Sequence, residues 1–205
     1  MKNFIIGYGS LINLQSLRRT LPQIGYSLPV RVHGFKREWN AREDVTVSFS
    51  TTYLGITIDK KSSFNGVIFE IEESELERMD AREFLYDRKE VNKDSIEILG
   101  GDFCLNETEK VWIYVTKTPK EVIREFPLIQ SYVDVCVFGC LEIEEEFSLQ
   151  GFAKEFLNST YSWSVHWIND RVYPRSPHIY QPRAFKIDEL LFNNLNSYYK
   201  EITIE

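Results

Sequence analysis

The segment Phe4-Ile5-Ile6-Gly7-Tyr8-Gly9-Ser10-Leu11 runs from an apolar strand straight into a glycine-rich turn. A chain that leaves a strand in this way presents several backbone N–H groups to whatever lies beyond it, so the turn reads as a cradle for an anion. Gly7 and Gly9 are the positions at which a ligand can approach the main chain closely. Asn13 to Thr20 can add a helix N-terminus aimed at the same negative group. Taken alone, Tyr-Gly-Ser-Leu also describes an ordinary strand-to-helix turn.

Outward from this turn the chain is rich in strands. Val30 to Trp39, Val45 to Ser50, Tyr53 to Ile58, Phe64 to Ile71, Arg88 to Ile98 and Val111 to Thr116 concentrate Val, Ile, Phe, Trp and Thr between turn residues and are predicted strands. Ser74 to Arg82 is predicted as a short helix, since Ser74 and Glu77 have the spacing of a capping box and Leu76 and Met79 share a face. Further helices are predicted over Gln130 to Cys140, Glu144 to Leu157 and Ile187 to Tyr199. Strands first and helices later favour an α+β arrangement.

Composition narrows the function. A chain of 205 residues, 43% hydrophobic and 14% aromatic, can bury a sizeable core. The formal net charge of −7 argues against general nucleic-acid binding, which needs a basic surface. No stretch approaches the roughly 20 apolar residues that span a bilayer, so no membrane partner is expected. The three cysteines, Cys104, Cys136 and Cys140, do not make an even disulfide framework, and the N-terminus has no secretory pattern. A cytoplasmic protein is expected. Cys136 and Cys140, four apart, read as core residues rather than metal ligands, and no metal site is expected.

Four further motifs give the turn a context. Gly34-Phe35-Lys36-Arg37-Glu38-Trp39-Asn40 is a basic and aromatic strand, Asn65-Gly66-Val67-Ile68-Phe69-Glu70-Ile71 is an apolar one, and Met79-Asp80-Ala81-Arg82-Glu83-Phe84-Leu85-Tyr86 follows the short helix. Tyr132 heads a helical segment with Gly139 seven positions on. In this order the motifs resemble the γ-glutamylcyclotransferase superfamily, also called AIG2-like, over about residues 3 to 142. Trp39-Asn40-Ala41-Arg42 is similar to its bacterial branch. The resemblance implies a small, partly closed mixed β-barrel flanked by helices, with a domain over residues 1–142 and a C-terminal aromatic and helical extension, 143–205, packed on it. It implies a γ-glutamyl small molecule as substrate, closed to 5-oxoproline with release of the amine, and no cofactor. Glu83 matches the catalytic glutamate, and Ile5, Ile6, Gly7, Tyr8, Gly9, Ser10, Leu11, Tyr86 and Tyr132 the substrate-binding positions.

The environment of Glu83 bears on that role. A helix end and burial both raise a carboxyl pKa, while Arg82 and Arg88 oppose the rise if they point inward. Where many relatives have glycine directly after the glutamate, this chain has Phe84-Leu85, which implies a smaller or more apolar pocket. Tyr114 is a further candidate for its wall. In the last segment, Trp163, His166, Trp167, Asp170, Arg171, Tyr173, Arg175, His178, Tyr180 and Arg183 are interrupted by Pro174, Pro177 and Pro182. This reads as a wrap over a sheet edge, or as a lid whose Arg171 or Arg175 binds a substrate carboxylate. His166 and Asp170 have the spacing of a metal pair but lack a third ligand. The alternatives to a general γ-glutamyl cyclotransferase are a glutathione-directed one and a noncatalytic binding or interaction module on the same fold. Oligomeric state is not legible.

Overall fold

A computed structural model of the protein describes residues 2–42, 50–175 and 183–204. Nearly all of the predicted strand Val45 to Ser50, together with His178, Tyr180, Pro177 and Pro182, lies outside them. The strands in chain order are β1 (Asn3–Gly7), β2 (Leu28–Ala41), β3 (Tyr53–Ile71), β4 (Tyr86–Glu90), β5 (Ile96–Ile98), β6 (Lys110–Thr116), β7 (Leu128–Ile129), β8 (Thr160–Tyr161), β9 (Trp167–Asn169) and β10 (Thr203–Ile204). The helices are α1 (Leu14–Arg18), α2 (Leu76–Arg82), α3 (Gln130–Phe147), α4 (Phe152–Asn158), α5 (Ala184–Asn194) and α6 (Asn196–Tyr199).

The main sheet runs β4-β6-β1-β3-β2-β5, with β8 added to β2. Its centre is β1, antiparallel to β3 with Ile5 opposite Phe69, and parallel to β6 with Ile5 opposite Trp112. The α+β class is the one expected. The barrel is not closed: among the described residues the hydrogen bonds follow one open path, from β4 at one edge to β5 at the other.

Alternation along the strands builds two cores. Phe4 and Ile6 of β1, with Val111, Ile113 and Val115 of β6, face a core shared with Val30, Val32 and Phe64. Ile5, Val67, Phe69 and Tyr114 face the helices, where they meet Tyr132, Val133, Cys136, Val137 and Cys140 of α3 and Phe156 and Leu157 of α4. Both cysteines of α3 are core residues, as their spacing suggested. The 142/143 division falls inside α3, and residues on both sides of it belong to this second core. A small parallel sheet, β10-β9-β7, closes the far end. No helix among the described residues is long and apolar enough to cross a membrane.

Five local readings change. The strands predicted over Tyr53 to Ile58 and Phe64 to Ile71 are one strand, β3, and the helix predicted over Ile187 to Tyr199 is two, α5 and α6. The helix predicted over Glu144 to Leu157 is two helices, because Ser148 takes a left-handed conformation (φ 55°) that ends α3. Arg88 to Ile98 is two strands separated by a 3-10 turn, with the Asn92 side chain accepting from the Asp94 N–H. The Ser74 and Glu77 capping box is not formed, since α2 is preceded by a 3-10 turn over Glu73–Glu75 and starts without a side-chain cap.

Candidate active site

Glu83 caps the C-terminus of α2. Its N–H donates to the Met79 carbonyl at 2.9 Å, and its own carbonyl accepts from the Tyr86 N–H at 2.9 Å. These bonds close the helix and turn the chain into β4, so the side chain leaves a fixed piece of backbone. That side chain is 15% exposed, with Oε1 3.0 Å from Arg82 Nε. Burial pushes the carboxyl above its ordinary value of 4.5, against the opposing pull of Arg82. Arg82 also donates to the Ser16 carbonyl at 3.1 Å and to Thr20 Oγ1 at 3.0 Å, tying α2 to α1. Arg88 turns away and grips Asp80 at 2.8 and 3.1 Å. One arginine therefore faces Glu83.

Glu83 shares a pocket with Tyr8 to Leu11, Leu54, Tyr86, Tyr114 and Tyr132. Most of the phenols are held by hydrogen bonds: Tyr8 donates to the Tyr114 carbonyl at 2.6 Å, Tyr86 to the Leu54 carbonyl at 2.7 Å and Tyr114 to Asp80 Oδ1 at 2.8 Å. Tyr132 instead reaches the turn, where a β-carbon placed on Gly9 would lie 3.0 Å from its hydroxyl. Burial raises the phenols of Tyr8, Tyr86 and Tyr132 well above 10, which keeps them neutral donors. The pocket is partly open to solvent and has a volume of about 20 Å³.

The structure thus brings together Glu83, Tyr8, Gly9, Ser10, Leu11, Tyr86 and Tyr132, and adds Tyr114. It places Ile5, Ile6 and Gly7 elsewhere. Ile5 and Ile6 are fully buried in β1, one in each core. A β-carbon on Gly7 would meet Leu11 Cβ at 2.8 Å, so this glycine accommodates the chain's own turn rather than a ligand. The expected helix N-terminus is also absent from the pocket: α1 is capped by Asn13, whose Oδ1 accepts from the Ser16 N–H at 2.8 Å. What remains of the cradle is the N–H groups of Gly9, Ser10 and Leu11, which meet no acceptor among the described residues. Phe84, 52% exposed, points outward and does not narrow the pocket. Gly139 lies where α3 crosses the turn, and a β-carbon there would be 2.6 Å from the Asn13 nitrogen.

Arg37 was not singled out by sequence. It is fully buried directly behind the turn, sends Nη1 to the carbonyls of Tyr8 (3.2 Å) and Asn65 (2.6 Å), and stacks on Phe156 with Cζ 4.0 Å from the ring centre. The C-terminal arginines are engaged differently. Arg171 holds Asp134 at 2.7 and 2.8 Å and Asp188 at 2.9 Å, and the backbone N–H of Arg175 donates to Asp170. Neither borders the Glu83 pocket. Asp170 also accepts from the N–H and hydroxyl of Ser131 at the start of α3. Among the described residues no group of three His, Cys, Asp or Glu is placed to hold a metal.

Residues 5–131 match the family described as Gamma-glutamyl cyclotransferase, AIG2-like, and the chain belongs to that family. Similar solved structures include a gamma-glutamyl cyclotransferase with 13% identity and a TM-score of 0.58, covering 94% of this chain and 99% of its own. An uncharacterized protein from Homo sapiens shares 14% identity at a TM-score of 0.57, covering 93% and 98%. YkqA from Bacillus subtilis shares 13% at 0.55, covering 77% of this chain and 53% of its own. At these identities the likeness is one of fold. No curated protein sequence matches the chain.

Proposed function

We propose that the protein is a γ-glutamyl cyclotransferase that converts a γ-glutamyl amino acid or amine to 5-oxoproline and the free amine, with Glu83 as the proton carrier. The observation that carries this reading is the meeting of Glu83, its carboxyl raised by burial, with the Tyr8-to-Leu11 turn and the tyrosines in one pocket. The Gly9, Ser10 and Leu11 amides hold the α-carboxylate. Glu83 takes a proton from the α-ammonium, the freed amine attacks the γ-carbonyl, and the same carboxyl returns the proton to the departing amine. Tyr8, Tyr86 and Tyr114 already donate their hydroxyl protons to protein acceptors, so the Tyr132 hydroxyl is the phenol that donates to the developing oxyanion, and a fixed folded substrate conformer supplies the proximity.

The deciding assay measures 5-oxoproline released from a panel of γ-glutamyl amino acids, γ-glutamyl amines and glutathione. Release from none, while one of them binds, would leave a noncatalytic binding module. Because the cyclisation runs on proton transfer alone, activity is expected to survive exhaustive chelation; loss on chelation with recovery on adding one metal would refute that.

Gly9→Val tests the cradle. The added carbons would press on the Tyr132 hydroxyl, already 3.0 Å from a β-carbon position, and cover the amides. Affinity for 5-oxoproline is expected to fall about tenfold or more, the scale of an overpacked site. Unchanged affinity by calorimetric titration would put the anion elsewhere.

A further inference from the structure

We infer that Arg37 is the positioning residue of the anion cradle: from behind the turn it aims the Gly9 amide into the pocket and sets a positive charge under it. This rests on the proposed reading of the pocket as a γ-glutamyl site.

The argument begins with the peptide unit between Tyr8 and Gly9. A peptide is planar, and a trans one points its C=O and N–H in opposite directions; none of the described bonds is cis. Arg37 Nη1 fixes the Tyr8 carbonyl on the core side at 3.2 Å. The Gly9 N–H therefore faces away from Arg37, and Gly9 lines the pocket. Tyr8 cannot easily turn over, because its own hydroxyl is anchored to the Tyr114 carbonyl at 2.6 Å.

The guanidinium is itself over-determined. Nε donates to Thr160 Oγ1 (2.8 Å), and Nη2 to Asn65 Oδ1 (3.1 Å), the Phe156 carbonyl (2.9 Å) and Ser159 Oγ (2.8 Å). Every one of these acceptors is neutral. No carboxylate pairs with Arg37 among the described residues, and the thiols of Cys136 and Cys140 beside it are held protonated by burial. Burial lowers the Arg37 pKa only to about 10, so the charge is present at neutral pH. A chain of net charge −7 thus keeps, behind its candidate anion site, a buried cation that no carboxylate touches among the described residues, Glu155 acting on it only from a distance while paired with Arg31. A buried charge without a partner is costly. An anionic ligand on the far side of the Tyr8–Gly9 peptide relieves that cost, and the carbonyl it polarises strengthens the N–H donor opposite.

Two ligands of equal shape separate this role from simple structural support: 5-oxoproline, which carries the carboxylate, and 5-oxoprolinamide, which does not. Asn65→Asp places a carboxylate on Arg37 while keeping an oxygen where Oδ1 now accepts, and it gives up the Nδ2 bond to the Phe152 carbonyl, a loss that bears on both ligands alike. The parent is expected to prefer the acid over the amide, and the variant to lose roughly five- to thirtyfold of that preference, the size of one charge felt across several ångströms of protein. General loosening would weaken both ligands alike and leave their ratio unchanged, which would overturn the inference. If Asn65→Asp does not fold, the parent labelled with ¹⁵N decides: the Gly9 amide resonance should move on adding 5-oxoproline and stay in place on adding the amide, and movement with both, or with neither although resonances elsewhere show that one of them binds, overturns the inference. A parent that binds neither compound and releases 5-oxoproline from none of the panel substrates refutes the γ-glutamyl reading itself. A parent that prefers the acid, with the ratio intact in a folded variant, refutes the role of Arg37 alone.

Discussion

Glu83→Gln is expected to lower turnover of a γ-glutamyl substrate by roughly 10²–10⁴-fold, the usual contribution of a positioned general base. Glutamine keeps the length and an acceptor oxygen but cannot take the ammonium proton or return it to the leaving amine. Binding should change by a small factor, because the Gly9-to-Leu11 amides and Tyr132 do the holding in this scheme. The parent's kcat/KM should rise with pH along an acid limb whose apparent pKa lies above 4.5, since burial raises the Glu83 carboxyl. The variant should lack that limb. Parent-like turnover in a folded variant would remove Glu83 from the mechanism.

The same raised pKa makes a separate statement about stability. A carboxyl whose folded value exceeds its unfolded value contributes stability that is complete below about 4.3 and is lost as pH rises through the folded value. Above the raised value, ionising the buried Glu83 is therefore a cost. Glu83→Gln is expected to be at least as stable as the parent at pH 7, with the difference shrinking as pH falls through the raised Glu83 value toward 4.5. Arg82 keeps its bonds to Ser16 and Thr20 in the variant. Denaturant titrations at pH 7 and pH 4 measure this, and a variant clearly less stable at pH 7 would mean that the Arg82 pair outweighs desolvation.

The parts of the site that sequence displays are those encoded locally. The Tyr8-to-Leu11 turn is legible because glycines follow an apolar strand, whereas Glu83, a common residue for a helix end, stands out only through the order of motifs that resembles the family. Other features depend on what the fold brings up from far away. Lys36-Arg37-Glu38 looks like a solvated charged run, and Lys36 and Glu38 do pair with each other at 2.9 Å. Arg37 sits on the opposite face of β2, with fully buried Trp39. The period-2 sequence Arg37-Trp39-Ala41 held that hint, since a cation in an apolar register must find buried acceptors. Those acceptors come from Asn65, Phe156, Ser159 and Thr160, which no local pattern connects to β2. The break between β4 and β5 was readable: Asn92-Lys93-Asp94-Ser95 carries the side chains that turn a chain on themselves. The end of α3 was not, because serine seldom adopts the left-handed conformation found at Ser148.

Arg171 is the second place where a large effect is expected, and here the effect is on stability. Asp134, on α3, is 1% exposed at its side chain, and Arg171 supplies it with two charge-assisted bonds while also holding Asp188. Burial pushes the Asp134 carboxyl up, and Arg171 with Gln130 pulls it back down. Arg171→Ala leaves a sealed carboxylate with Gln130 as its remaining neighbour in that network, and should cost about 3–5 kcal/mol, the range for breaking one side of a buried pair. The double variant Arg171→Leu with Asp134→Leu should recover much of this, because apolar replacement of both partners removes the stranded charge. KM should shift no more for γ-glutamyl amino acids than for γ-glutamyl amines, since the guanidinium is occupied by protein carboxylates away from the pocket. That outcome makes the C-terminal segment a wrap that fastens β9 and α5 to α3. A stable Arg171→Ala whose KM rises only for substrates with a second carboxylate would make the segment a lid instead.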